Sequence, residues 1–164
     1  VAKVFVSGGA GFIGSHIVDK LIGSGHTVTV FDNLSTGNRA FVNPQAEFIE
    51  GDIRSPECAA ALARVVPDAI VHAAAQISVR VSMDDPMLDT EQNVLGLVNI
   101  LTALKTRPGT HVVFLSSGGA VYGEQDVFPA TESHKIAPES VYGLAKRVGE
   151  LYLELWERVW KIPY

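Results

Sequence analysis

With a single cysteine, Cys58, the chain has no means of forming an internal disulfide framework, and a lone thiol fits a reducing compartment and a place in helix packing. It also lacks an apolar stretch of about 18 residues, the length a membrane-spanning helix needs. Its opening, Val1-Ala2-Lys3-Val4-Phe5-Val6, runs into glycines too soon to be the apolar region of a signal peptide. These absences lead to the expectation of a cytoplasmic protein with no membrane partner. Runs of Lys or Arg are missing too. Thirteen basic residues against 18 acidic ones leave a formal charge of -5, which argues against nucleic acid as a partner. No internal repeat or low-complexity linker marks a second domain, and no metal site is expected.

What is present is a hydrophobic share of 47% in 164 residues. A globule of this size encloses roughly two thirds of the surface its unfolded chain exposes. Short apolar, β-branched runs alternate with longer segments of helical period, the pattern of β-α-β units in a doubly wound α/β fold with a parallel, Rossmann-like sheet. Five strands are predicted, at Lys3–Ser7, Thr27–Phe31, Glu47–Glu50, Ala69–His72 and His111–Leu115. Their near-continuous hydrophobicity suits strands covered on both faces. Helices are predicted over Phe12–Ser24, Pro56–Val65 and Pro86–Thr106, and a last one from near Pro138. His72 is read as structural. Helical spacing continues through Trp156 and Trp160, which belong either to the core or to a surface that a further region covers. Lys161-Ile162-Pro163-Tyr164 then stands where another strand is expected, as in a chain cut short.

Between the first strand and first helix, Gly8, Gly11 and Gly14 stand at G-x-x-G-x-x-G spacing. The first permits a tight turn, the second lets a pyrophosphate approach the backbone, and the third lets helix and sheet pack closely. The free N–H groups of the helix start, at Phe12 and Ile13, then face the phosphates. Asp32, 18 positions after Gly14, ends the second strand where a carboxylate accepts hydrogen bonds from the adenosine ribose. A carboxylate there repels a 2′-phosphate, so the expected cofactor is NAD and not NADP. Arg39 is read as a loop charge. The small side chains of Ala73-Ala74-Ala75 follow a strand at the carboxyl edge of the sheet, where ligands bind in open α/β folds.

Tyr142 and Lys146 are four apart on the final helix and project from one face. A neighbouring ammonium is expected to lower the pKa of the phenol and favour its use as a base. The fifth strand delivers Ser116-Ser117 to the same edge of the sheet.

These residues, together with Asp32-Asn33-Leu34-Ser35-Thr36-Gly37, Gly51-Asp52-Ile53, His72-Ala73-Ala74-Ala75-Gln76, Ser116-Ser117-Gly118-Gly119-Ala120-Val121-Tyr122-Gly123 and Tyr142-Gly143-Leu144-Ala145-Lys146, resemble the extended short-chain dehydrogenases. Within that family the resemblance is to the UDP-glucose 4-epimerase branch, and it spans essentially the whole chain. It implies a domain that binds NAD through the glycine loop and Asn33, Ser35, Thr36 and Gly37. Asp52 would hold the adenine amino group, with Ile53 beside the ring and Gln76 and Asn93 on the cofactor side. It further implies that Lys146 holds the nicotinamide ribose and that Ser117, Gly118, Gly119 and Tyr142 meet the sugar. A rigid count from the family pattern puts the sugar-binding hydroxyl at Gly118, which has none; Ser117 is expected to take the role.

The resemblance implies C4 epimerisation of a UDP-hexose through a 4-keto intermediate, in a homodimer. A UDP-uronate epimerase, a sugar-nucleotide reductase and a noncatalytic NAD-binding module are the alternatives. Gly118-Gly119-Ala120 stands where related dehydratases carry an acidic pair and decarboxylases a glutamate. Members of such a family are expected at about twice this length, with most nucleotide-sugar contacts beyond the tyrosine helix, so residues 1–164 are read as the NAD-binding domain alone.

Overall fold

Alternation of side chains along the apolar runs gives a sheet with two distinct faces. The computed structural model describes residues 1–164. It contains β1 (Lys3–Ser7), β2 (Thr27–Asp32), β3 (Glu47–Glu50), β4 (Ala69–His72) and β5 (His111–Phe114) as one parallel sheet in the order β3-β2-β1-β4-β5. The order reverses between β1 and β4, so a crevice opens beyond the carboxyl ends of these two strands.

Phe5, Phe31, Ile70 and Val112 point to one face. There they pack with Cys58 and Leu62 of α2 (Pro56–Val65), Leu97 and Leu101 of α5 (Gly96–Leu104), and Leu153 and Trp156 of α7 (Val141–Trp160). Val4, Val6, Val28, Val30 and Val71 point to the other face, covered by α1 (Phe12–Gly23) through Val18, Ile17 and Leu21. Each enclosed side chain of this size stabilises the fold by about 1.5–3 kcal/mol. Burial pushes the Cys58 thiol up to about 12, so it packs as a small apolar group.

Three features differ from the sequence reading. The helix expected over Pro86–Thr106 is α4 (Pro86–Thr90), a π turn at Glu91–Leu95 and α5, and α3 (Val79–Asp84) precedes it as a separate short helix. A further short helix, α6 (Gly118–Val121), follows β5. The last helix starts at Val141 and not near Pro138, because Ser140 caps it by accepting a hydrogen bond from the Gly143 N–H. Trp156 belongs to the core: it is 5% exposed, donates to the Leu101 carbonyl at 2.8 Å and packs against Trp160. After α7 the chain returns to β5, with Ile162 fully buried and Val112 N–H donating to the Pro163 carbonyl at 2.8 Å.

Candidate active site

The glycine loop is shaped by backbone contacts. Gly8 has φ +77°, and a Cβ there would lie 2.4 Å from the Ala74 nitrogen; a Cβ on Gly14 would lie 2.1 Å from the Gly8 carbonyl oxygen. Both positions are therefore closed to any other residue. Gly11 differs, since a Cβ there meets nothing nearer than the Gly8 carbonyl oxygen at 3.3 Å. No side chain caps α1 and its first turn holds no acid, so its orphan N–H groups remain free for an anion.

Above the loop lies a cavity of about 370 Å³. Its walls include Gly8, Gly11, Phe12, Ile13 and Gly14 from the loop and α1, and Asp32, Asn33, Ser35, Thr36 and Gly37 from the segment after β2. Asp52, Ile53 and Ala73-Ala74-Ala75 complete the set that the sequence predicted there. Phe31, Gly51, Ile77, Gln92 and Leu115 line it as well, and the sequence reading missed them. Gln92 reaches the cavity because the π turn re-aims one turn of helix, and an apolar residue such as Leu115 carries no local sign of facing a ligand.

The two acids in this wall are held differently. Asp32, buried, accepts from the Ala10 N–H at 3.0 Å and the Leu34 N–H at 2.8 Å, and so ties the glycine loop to the turn after β2. Asp52 takes a bidentate grip from Arg54 at 2.8 and 2.9 Å and a further bond from Asn33 Nδ2. The Arg54 guanidinium holds its carboxyl down to about 2, against the cost of its burial. Arg39 stacks on Phe48, 4.3 Å from the ring centroid.

Two predicted contact residues stand behind the wall. Asn93, in the π turn, accepts from the Gln76 N–H at 2.9 Å and donates to the Gln76 carbonyl, also at 2.9 Å; Gln76 in turn donates to Asp89 Oδ2 at 2.7 Å. Neither lines the cavity. The Asn93 side chain is spent on the Gln76 backbone and Asp89, and the Gln76 side chain on Ser78 and Asp89, which fixes the loop after β4.

The reacting groups expected from the sequence converge beside the Leu115 end of the cavity. Lys146, 4% exposed, donates to the Leu115 carbonyl at 2.8 Å and lies 5.7 Å from the Tyr142 ring centroid. Tyr142 is anchored by its backbone N–H to the buried Ser82 hydroxyl at 3.1 Å. A Cβ on Gly143 would stand 2.3 Å from the Ala120 carbonyl oxygen, so α7 and α6 touch backbone to backbone and bring Ser117 to the phenol. Ser117 starts α6 without capping it, leaving its hydroxyl free to bond Tyr142, whereas Ser116 Oγ turns away to Glu150. Gly118 and Gly119 sit in the first turn of α6 and meet no close neighbour.

The electrostatics correct one expectation. The Tyr142 pKa is raised and not lowered: burial is the main cause, the charge of Asp89 adds to it, and the Ser117 hydroxyl works against both. Lys146 is shifted as well: burial pulls it down to about 8 while the Asp89 charge pushes it back.

His72 stacks on Phe114 and shares a 2.7 Å hydrogen bond with Ser7 Oγ. Burial, aided by the Lys146 charge, pushes its pKa down to about 3, which keeps it neutral. The folded state thus takes up this proton far less readily than the unfolded state, whose histidine titrates near 6.5. Stability is expected to be unaffected by His72 above pH 6.5, to fall as the pH drops below it, and to lose on the order of 4 kcal/mol by about pH 3. Urea unfolding from pH 7 to 3.5 measures the slope, which His72→Gln should flatten; equal slopes in both proteins would refute this account.

The chain matches the model of the NAD dependent epimerase/dehydratase family over residues 4–164. It is 38% identical to the UDP-glucose 4-epimerase of Mycolicibacterium smegmatis over 98% of its own length and 53% of that protein's. The solved Thermus thermophilus UDP-glucose 4-epimerase in complex with NAD is 41% identical, with a TM-score of 0.93 over 98% of this chain and 52% of that one. The Thermotoga maritima UDP-glucose 4-epimerase with UDP-glucose is 40% identical, with a TM-score of 0.94 and the same coverage. The chain spans about half the length of the curated relatives it matches.

Proposed function

The chain belongs to the NAD dependent epimerase/dehydratase family, and from that premise we propose that residues 1–164 form an NAD-binding unit serving the C4 epimerisation of a UDP-hexose, UDP-galactose to UDP-glucose. The observation that carries this reading is the meeting of Ser117, at the start of α6, with Tyr142 and Lys146 of α7 at the sheet edge that also bears the glycine loop.

The residues present fit NAD. Gly11 leaves open space beside uncapped helix N–H groups for the pyrophosphate, and Asp32 lies at the end of β2 for the adenosine ribose. Asp52 and Ile53 are read as the adenine end and Lys146 as the nicotinamide-ribose end. NAD, when bound, would supply a reversible hydride acceptor, so that the interconversion needs no net oxidant. Tyr142 takes the proton of the sugar 4-hydroxyl as that carbon is oxidised, and gives it back when the keto group is reduced on its other face. Ser117 hydrogen-bonds the same oxygen, with Gly118 and Gly119 leaving room for the sugar. The absence of a carboxylate in Gly118-Gly119-Ala120 favours epimerisation over elimination or decarboxylation.

Exposed Leu144 and Leu151 lie seven apart on α7 and so share one face, where the proposed homodimer would form. The test is conversion of UDP-galactose to UDP-glucose in the presence of NAD, by this chain and by a version extended to the length of its relatives. Sedimentation velocity and NAD calorimetry accompany it. Product formation and a two-copy species are expected. NAD binding without interconversion in the extended protein overturns the epimerase assignment, and absence of NAD affinity overturns the whole reading.

A further inference from the structure

The proposed reaction makes no use of one enclosed acid. The enclosed, charge-bearing residues include Asp32, Asp89 and Lys146. Asp32 spends both oxygens on backbone N–H groups. Asp89, on α4, is fully enclosed: Oδ2 accepts from Gln76 Nε2 at 2.7 Å and from Asn93 Nδ2 at 2.9 Å, while Oδ1 is buried without a hydrogen-bond partner. A carboxylate left half-satisfied away from water is costly unless an opposite charge shares its surroundings. Helix α4 and the π turn both pack on α7, where the enclosed cation is Lys146.

We propose that Asp89 is a positioning residue of the Tyr142–Lys146 pair: its carboxylate is the counter-charge of the Lys146 ammonium, and its hydrogen bonds to Gln76 and Asn93 fix the loop that follows β4. The catalytic sense of this inference rests on the proton-transfer reading of Tyr142 given above. The groups facing the site are Tyr142 and Lys146 from α7, His72 from β4, and the uncharged Gln76 and Asn93. His72 is held neutral by its burial. Asp85, on the preceding turn, is occupied in capping α4. The Asp89 charge opposes the loss of the Lys146 proton and, equally, the loss of the Tyr142 proton. Asp89 thereby offsets part of the effect of burial on the lysine and adds to its effect on the phenol.

Removing the charge should move both titrations the same way. In Asp89→Asn, the Lys146 midpoint of about 8 is expected to drop by about one pH unit, and that of Tyr142 to drop with it. Lys146 is followed by NMR of 13Cε-labelled lysine, assigned with Lys146→Arg. Tyr142 is followed by phenolate absorbance, taken as the difference between each protein and its Tyr142→Phe counterpart. Asp89→Glu keeps the charge and should hold both midpoints close to wild type. Asp89→Leu gives the same drops as Asp89→Asn and replaces it if circular dichroism finds Asp89→Asn unfolded. A loss of packing alone would move neither midpoint in a folded variant. Unmoved midpoints in a folded charge-removing variant, or a drop in Asp89→Glu equal to that in Asp89→Asn, overturn the proposal. These titrations need neither cofactor nor substrate, so their failure leaves the epimerase reading standing, and a failure of NAD binding leaves the charge pair standing.

Discussion

Replacing Tyr142 by Phe is expected to cut sugar interconversion by about 10²–10⁴-fold, the range typical of a lost proton-transfer group, while NAD binding is retained. The substitution removes one oxygen and leaves the positioning intact. The anchoring bond from the Tyr142 backbone to Ser82 does not involve the phenol, and neither does the Lys146 bond to the Leu115 carbonyl. The raised pKa of the phenol predicts more. Burial and Asp89 keep it protonated in the cofactor-free protein, so turnover should rise with pH along a limb set by this group, and that limb should vanish in the variant. Steady-state rates on UDP-galactose across pH, with NAD affinity by calorimetry, check both statements. Turnover within about tenfold of wild type would remove Tyr142 from the proton transfer.

Local backbone demands are what made so much of the site readable from residue order. Gly8 and Gly14 could be assigned their tasks because a positive φ and a 2.1 Å approach admit one residue type, and the alternation of Val4, Phe5 and Val6 declared a strand covered on both faces. Tyr142 and Lys146 were legible because helical spacing alone puts them on one face. The illegible parts depend on contacts across the chain. The π turn at Glu91–Leu95 lies inside a segment whose period reads as an ordinary helix, and it turns Asn93 inward to Gln76 while exposing Gln92 to the cavity. Asp89 carries no mark in the sequence, and it is fully enclosed where α4 packs on α7. The direction of the Tyr142 shift was misjudged for the same reason, since spacing reveals the nearby ammonium but neither the burial nor the buried carboxylate behind it.

Gly11→Ala and Gly14→Ala are expected to separate two reasons for having glycine in one loop. At Gly14 the new methyl falls 2.1 Å from the Gly8 oxygen and 2.9 Å from Gly9 Cα, all backbone, so the turn must open to accept it. Overpacking of this kind costs about 1–3 kcal/mol, and because the same movement shifts the first turn of α1, NAD affinity should fall by at least about tenfold, or 1.4 kcal/mol. At Gly11 the nearest atom stands 3.3 Å away, a tight contact that a few tenths of an ångström relieves. Stability there should stay close to wild type. The methyl nevertheless enters the cavity wall where a pyrophosphate would meet the uncapped N–H groups of α1, so affinity should again drop by about tenfold or more. Urea unfolding and NAD calorimetry on the two variants read the two quantities independently. Full NAD affinity in a folded Gly11→Ala protein would mean that the dinucleotide does not lie against this loop, since a ligand that ignores a methyl there is not resting on that backbone.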